Sequence, residues 1–165
     1  MSTAPSGASG AADRELRVET TTTAAPAAVW AALADLSRMP AWSPELLAMW
    51  PLLRGGLRVG QQYVGVNRRK VVVWPTRSVV AELEPGRRLA WDTRSSGARW
   101  IWELEPTADG GTRVVHRRPV PRRLTRASGL FAGVLLGGAV AHADELEAGM
   151  ATTLARLTRE VENGA

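Results

Sequence analysis

The sequence predicts an α+β domain in which a run of antiparallel strands is followed by one long C-terminal helix. Three observations carry this. Turn signals break the stretch from about 47 to 118 into strand-length pieces: Arg54-Gly55-Gly56, Asn67-Arg68-Arg69, Glu84-Pro85-Gly86, Ser95-Ser96-Gly97 and Asp109-Gly110-Gly111. Within that stretch Ala98, Trp100, Trp102 and Leu104 alternate with Arg99, Ile101, Glu103 and Glu105, so one strand face is apolar and the other mostly charged. Beyond it, Leu146, Met150, Thr153, Leu157 and Val161 recur at three- and four-residue steps, the period of a helix with one buried stripe.

Taken in order, residues 1–13 are small, polar and aperiodic. They read as a disordered tail and lack the charged start and apolar block of a signal peptide. Residues 14–162 read as a single domain, which a chain of 165 residues accommodates. Leu16, Val18 and Thr20 alternate with Arg17, Glu19 and Thr21 as a first strand. Pro26 suits the first turn of a helix, and Val29, Leu33 and Leu36 continue its apolar stripe. Ser37 can cap a second short helix that Pro40 and Pro44 keep short.

The strands follow. Alternation turns Leu89, Trp91 and Thr93 inward, and His116 with Val114 away from Arg113 and Arg117. In the long strand 70–84, Glu82 and Glu84 mark the wet face, which places Leu83, Ala81, Val79 and Arg77 inside. A bulge near Pro75 would leave the direction of Trp74 open. A helix over 123–162 closes the chain, its stripe reaching back through His142, Ala139, Leu135 and Phe131.

Composition narrows the function. Seven of the nine aromatic residues are Trp, with one Tyr and one Phe. An indole buries a large area yet carries an N–H that seeks a partner, so it suits a half-polar wall. The alternative for each is ordinary core packing, which is the reading for Trp30 and Trp74. Trp91, Trp100 and Trp102 share one sheet face and read as the lining of an internal cavity. The absence of cysteine excludes disulfides and thiolate chemistry and is compatible with a cytoplasmic location. Two distant histidines supply no metal motif, and no nucleophile–base pair, phosphate loop or nucleotide fingerprint is present; no metal and no cofactor are expected.

The net charge is +5 and Lys70 is the sole lysine. The clusters Arg68-Arg69-Lys70 and Arg87-Arg88 sit at expected hairpin ends, and aromatic residues are not interleaved with the basic ones, so no nucleic acid is expected. The uncharged stretch 127–143 carries Gly129, Gly133 and Gly137 at four-residue steps. It is too short and glycine-rich to span a membrane, but offers a surface for weak membrane contact or a homodimer.

Several runs carry a resemblance: APAAVWAALAD (25–35), MPAWSPE (39–45), GQQYVGVNRR (60–69), VAELEPGRRLAW (80–91), WIWELEP (100–106), GGTRV from Gly110, and EAGMATTL (147–154). With the element order, they resemble the START-like or Bet v 1-like superfamily (SRPBCC), in its polyketide cyclase/dehydrase and lipid-transport branch. The resemblance implies a helix-grip fold, a curved seven-stranded antiparallel sheet wrapped around the long helix, with two short helices after strand 1. It also implies a cavity for a lipid, sterol or polyketide-like molecule.

Against the aromatic polyketide cyclases, Trp42 matches a pocket tryptophan and Trp50 falls near a pocket tyrosine. Arg77 lies close to a pocket arginine, with Ser78 taking that place if the register shifts by one. The ligand-binding candidates are therefore Trp42, Trp50, Tyr63, Asn67, Arg77, Trp91, Trp100, Trp102, His116 and His142. Their indoles would wrap an apolar, cyclic body, and the polar groups would address its oxygens. A cyclase, aromatase or dehydratase would use the same cavity, with Arg77 stabilising an enolate and His116 or His142 moving protons. A membrane-associated lipid carrier is the third reading.

Overall fold

A computed structural model describes residues 14–119 and 139–164. Strand β1 (Leu16–Thr22) leads into helix α1 (Pro26–Leu33), a 3-10 turn (Leu36–Arg38) and the single-turn helix α2 (Met39–Trp42). Six strands follow: β2 (Leu46–Pro51), β3 (Gln62–Arg69), β4 (Val72–Glu84), β5 (Arg88–Thr93), β6 (Arg99–Pro106) and β7 (Thr112–Arg118). Helix α3 occupies Ala139–Asn163. All seven strands form one antiparallel sheet in the order β1-β7-β6-β5-β4-β3-β2, so β1 crosses over to pair with β7 and the rest run as a meander.

Local chemistry explains the boundaries. Pro26 sits in the first turn of α1, where its missing N–H costs nothing. The next turn is capped by Asp35, which accepts from the Ser37 amide at 3.1 Å; Ser37 is thus the capped residue and not the cap. At Glu84-Pro85-Gly86-Arg87 the Arg87 amide donates to the Glu84 carbonyl at 3.0 Å. Proline at the second position and Gly86 at φ +78° are what a type II turn requires. Asn67-Arg68-Arg69 is not a turn. β3 runs through it, and the chain reverses at Lys70, whose φ is +54°.

Two β-bulges set which side chains reach the concave face. In β2 the pairing with β3 steps from Leu46↔Asn67 to Ala48↔Val66, leaving Leu47 as the extra residue. In β4 the pairing with β5 steps from Val80↔Trp91 to Glu82↔Ala90, leaving Ala81 extra. Each bulge inverts the alternation on one side of it. The expected bulge near Pro75 is not there: Val66↔Pro75 and Asn67↔Trp74 are in continuous register. Pro75 lies beyond the end of β5, where no second ladder needs its N–H.

The concave face packs on α1, α2 and α3. Val29, Leu33 and Leu36 join Trp42, Val80, Leu89, Trp91, Trp102, Leu104 and Val114 against Leu154, Leu157 and Val161. A smaller cluster of Leu16, Ala143, Leu146 and Met150 holds the other half of α3, with Trp100 at its margin. The helical stripe Leu146, Met150, Thr153, Leu157 and Val161 is buried throughout. No helix among the described residues is long and apolar enough to cross a membrane.

Candidate functional site

Residues paired across strands share a face, so the register assembles the concave surface in rows. One row runs Tyr63, Ser78, Thr93 and the next Val80, Trp91, Trp100. A third runs Leu89, Trp102, His116, Val18. Toward the β2 edge lie Gly65 beside Thr76, then Asn67 beside Trp74. Asn67 Nδ2 donates to Thr76 Oγ1 at 2.9 Å, and the Ser78 and Thr93 hydroxyls meet at 3.3 Å. Asn67, Trp74, Thr76 and Trp100 are only half-buried, so this end of the concave face is incompletely covered.

Trp42, 1% exposed, is anchored to the last turns of α3: its Nε1 donates to Glu160 Oε2 at 2.6 Å. Pro44 touches the same helix, since a Cβ on Gly149 would stand 3.3 Å from Pro44 Cγ. The WSPE segment therefore fixes the sheet edge to the helix before any ligand is considered.

His116 is fully enclosed. Its ring stacks on Trp102 at 3.8 Å between centroids and 17°, and lies 5.6 Å from Trp100 at 20°. Nδ1 stands 3.0 Å from the Ile101 carbonyl. A carbonyl only accepts, so Nδ1 carries the proton and Nε2 presents a lone pair. Burial pushes the imidazole down to about 4, the Ile101 carbonyl opposing only in part, and the ring is neutral at pH 7. Beside it, Trp102 Nε1 is buried with no hydrogen-bond partner.

At the mouth where β3, β7, α3 and the α2–β2 loop meet stands a group of charges. Arg69 turns inward, its side chain 9% exposed, and grips Glu145 of α3 through Nε at 2.5 Å and Nη2 at 2.6 Å. Arg118 ends β7 with its guanidinium carbon 5.2 Å from the Trp100 ring centre. Its Nε is buried and without a hydrogen-bond partner. Burial lowers the guanidinium's pKa, with Glu45 opposing. Burial also pushes the Glu45 carboxyl up to about 7, held from rising further by Arg69 and Arg118 and pushed again by Glu145.

The structure brings some of the candidate residues together and not others. Trp42, Tyr63, Asn67, Trp91, Trp100, Trp102 and His116 all lie on the concave side or in the core beneath it. Trp50 does not: the bulge at Leu47 puts Met49 beside Gly65 and turns Trp50 outward, 45% exposed. Arg77 does not either. The bulge at Ala81 puts Ser78 and Val80 inward and leaves Arg77 exposed, its Nε donating to Gln62 Oε1 at 2.7 Å. Ala81 and Val79 are likewise displaced from the inner positions expected of them. Ser78 takes the inward place, as the one-residue shift allows. Trp74, read as structural, lies on the concave face. The side chain of His142 and the Gly129/Gly133/Gly137 segment lie outside the described residues, as do residues 1–13.

Sequence reasoning missed Glu45, Arg69, Arg118 and Glu145. Arg69 belongs to a basic run read as a solvated hairpin end, and Arg118 to a strand end that the sequence reading gives no role. The available signal was their strand parity: Arg69 follows Asn67 by two, and Arg118 follows His116 by two.

A single antiparallel sheet gripping a C-terminal helix, with indoles and a few buried polar groups on its concave side, defines a helix-grip domain. The chain belongs to the polyketide cyclase / dehydrase and lipid transport family, whose model matches residues 13–162. Among solved structures it is similar to the Zhui aromatase/cyclase from Streptomyces sp. R1128: 20% identity, TM-score 0.69, covering 90% of this chain and 93% of that one. It is similar to the polyketide cyclase-like protein Cgl2372 from Corynebacterium glutamicum at 24% identity and TM-score 0.59, covering 90% and 91%. TTHA0849 from Thermus thermophilus is similar at 20% identity and TM-score 0.66, covering 92% and 99%. At these identities the likeness is one of fold. No curated protein sequence matches this chain.

Proposed function

We propose that the protein binds a hydrophobic, cyclic small molecule of the polyketide or lipid type against the concave face of its sheet. One observation carries the reading. Trp91, Trp100 and Trp102 converge there, and two N–H donors on that side, Trp102 Nε1 and the Nε of Arg118 over Trp100, are buried without hydrogen-bond partners. A buried donor left unmade costs about 1–3 kcal/mol, and a ligand oxygen arriving at either would recover much of it. The indoles supply a flat apolar wall, and Asn67, Thr76, Ser78 and Thr93 supply hydroxyl and amide contacts.

Native mass spectrometry of freshly purified protein, with Trp-emission titrations against aromatic polyketides, sterols and fatty acids, tests this. A co-purified or added molecule should shift the emission, and Trp100→Ala should weaken it about tenfold. An empty protein whose emission ignores the whole panel overturns the reading.

A cyclase or dehydratase acting at the same place is the second reading, favoured by Glu45. Its carboxyl titrates near neutrality beside Arg118, the condition for moving a proton in either direction. If Glu45→Gln keeps affinity for a poly-β-keto thioester mimic but abolishes its conversion, the enzyme reading holds. Equal conversion by both proteins, or none by the native one, removes it.

A further inference from the structure

We infer that the ligand carries an acidic group, a carboxylate or an acidic enol, and that Arg118 binds it at the mouth of the concave face. This deepens the preceding reading and rests on it.

The argument begins with the two arginines at this mouth. Arg69 is committed: both its Nε and Nη2 are spent on the two oxygens of Glu145. Arg118 is not committed in that way. Its Nε is buried with no partner, and its planar group lies over Trp100, the indole that would border a bound ring. A guanidinium held over an aromatic wall presents N–H donors to whatever lies beside that wall. An aromatic or alicyclic acid stacked near Trp91 and Trp100 would place its carboxylate there.

The charges facing this place from every described element are few. Glu45 comes from the α2–β2 loop, Arg69 from β3, Glu145 from α3, and His116 from the same face of β7. Arg69 and Glu145 neutralise each other, and His116 is uncharged above pH 4. The balance at Arg118 is therefore set by Glu45, whose carboxyl titrates at about 7. When Glu45 is protonated, Arg118 holds an uncompensated positive charge in a desolvated place. An incoming anion supplies the missing charge and raises the Glu45 pKa further, so binding takes up a proton. Affinity for an acid should therefore rise as pH falls through 7, while affinity for an uncharged analogue stays level.

The test compares 2-naphthoic acid with 2-naphthamide, nearly the same shape and differing in charge, by calorimetry at pH 6 and pH 8. The acid is ionised at both, since ordinary carboxylates titrate at about 4. The native protein should bind the acid at least tenfold more tightly than the amide at pH 6, with that preference shrinking at least threefold at pH 8. Arg118→Gln should erase the preference, the acid losing at least tenfold more affinity than the amide, with far-UV circular dichroism reporting that the variant is folded. Glu45→Gln should keep the preference and abolish its pH dependence, so the inference stands even if the Arg118 variant fails to fold. Equal binding of acid and amide, or an Arg118→Gln variant that weakens both alike, overturns the acidic-ligand inference while leaving ring binding intact. Binding of neither molecule at either pH overturns the ring-binding reading and this inference with it.

Discussion

On the convex face of the sheet, Arg88, Arg99 and Arg117 interleave with Glu82, Asp92 and Glu103. Arg99 meets Asp92 at 2.7 and 3.0 Å and Glu82 at 2.9 Å, and Arg88 joins Glu82 to Glu103. Each of these three cations has an anion within reach, and the arginine stems help cover Ala90, Ile101 and Val115 on that side. On the concave face the same strands carry indoles, small hydroxyls, a neutral histidine and an arginine whose Nε has no partner. The same strands thus build, around Arg88, Arg99 and Arg117, a surface whose charges are paired and, on the other side, one with spare donors. A paired surface asks for nothing from solution. The second has something to offer a ligand, and this contrast is why we propose binding on the concave side.

The contrast can be broken most forcefully at Trp102. Its side chain is 1% exposed and stacks on His116, so Trp102→Ala should cost about 3–5 kcal/mol in urea unfolding, the range for emptying a large buried site. A loss below about 1 kcal/mol would mean that the concave face is open at that point.

Next in size is the response to pH. His116 titrates at about 4 when folded against 6.5 ordinarily, so the unfolded chain holds the extra proton between those values and stability rises with pH there. Glu45 titrates at about 7 against 4.5, so the folded chain holds the extra proton and stability falls as pH rises from 4.5 to 7. The two slopes oppose each other from 4.5 to 6.5. Glu45→Gln removes one of them: relative to that variant, the native protein should lose up to about 3 kcal/mol between pH 4.5 and 7. Parallel stability curves would refute the buried, titrating Glu45.

A smaller effect sharpens the geometry. Deleting Leu47 removes the extra residue of the β2 bulge and should leave Ala48, Met49 and Trp50 on their partners Val66, Gly65 and Val64, with Trp50 still outward, at a cost of about 1–2 kcal/mol. Acrylamide quenching checks it: the quenchable fraction of the emission should stay the same, and a fall would show that the strand slips by one residue and carries Trp50 inward. Least affected should be the convex lattice. Arg99→Ala should cost no more than about 1 kcal/mol, shrinking further in about 0.5 M salt, because its ion pairs are partly solvated.

Much of this architecture was legible in the chain. Strand alternation places Trp91, Trp100, Trp102 and His116 on one face because the strands that bear them, β5 to β7, pair with one another in unbroken register. The failures, Trp50 and Arg77, sit in the two strands whose pairing contains a bulge. Counting by twos from Glu84 is sound chemistry carried across a point where the count changes. Leu47 and Ala81 bear no special residue type to announce it. The basic residues misled for a related reason: composition reads Arg69 as a solvent charge and passes over Arg118, and only strand parity reveals that they turn inward.

The sequence by itself determined the element order, the single sheet, the buried stripe of the last helix and the family to which the chain belongs. The elements and the buried stripe follow from local periodicity and turn chemistry, which each segment carries within itself, whereas the single sheet and the family follow from the resemblance of the quoted runs. The tertiary structure decided where the two bulges fall, that Glu160 anchors Trp42, and that Glu45, Arg69, Arg118 and Glu145 meet at one mouth. Those depend on strands and a helix separated by dozens of residues coming together. A carboxyl's proton affinity or a guanidinium's missing partner is a property of that meeting, and no segment holds it alone.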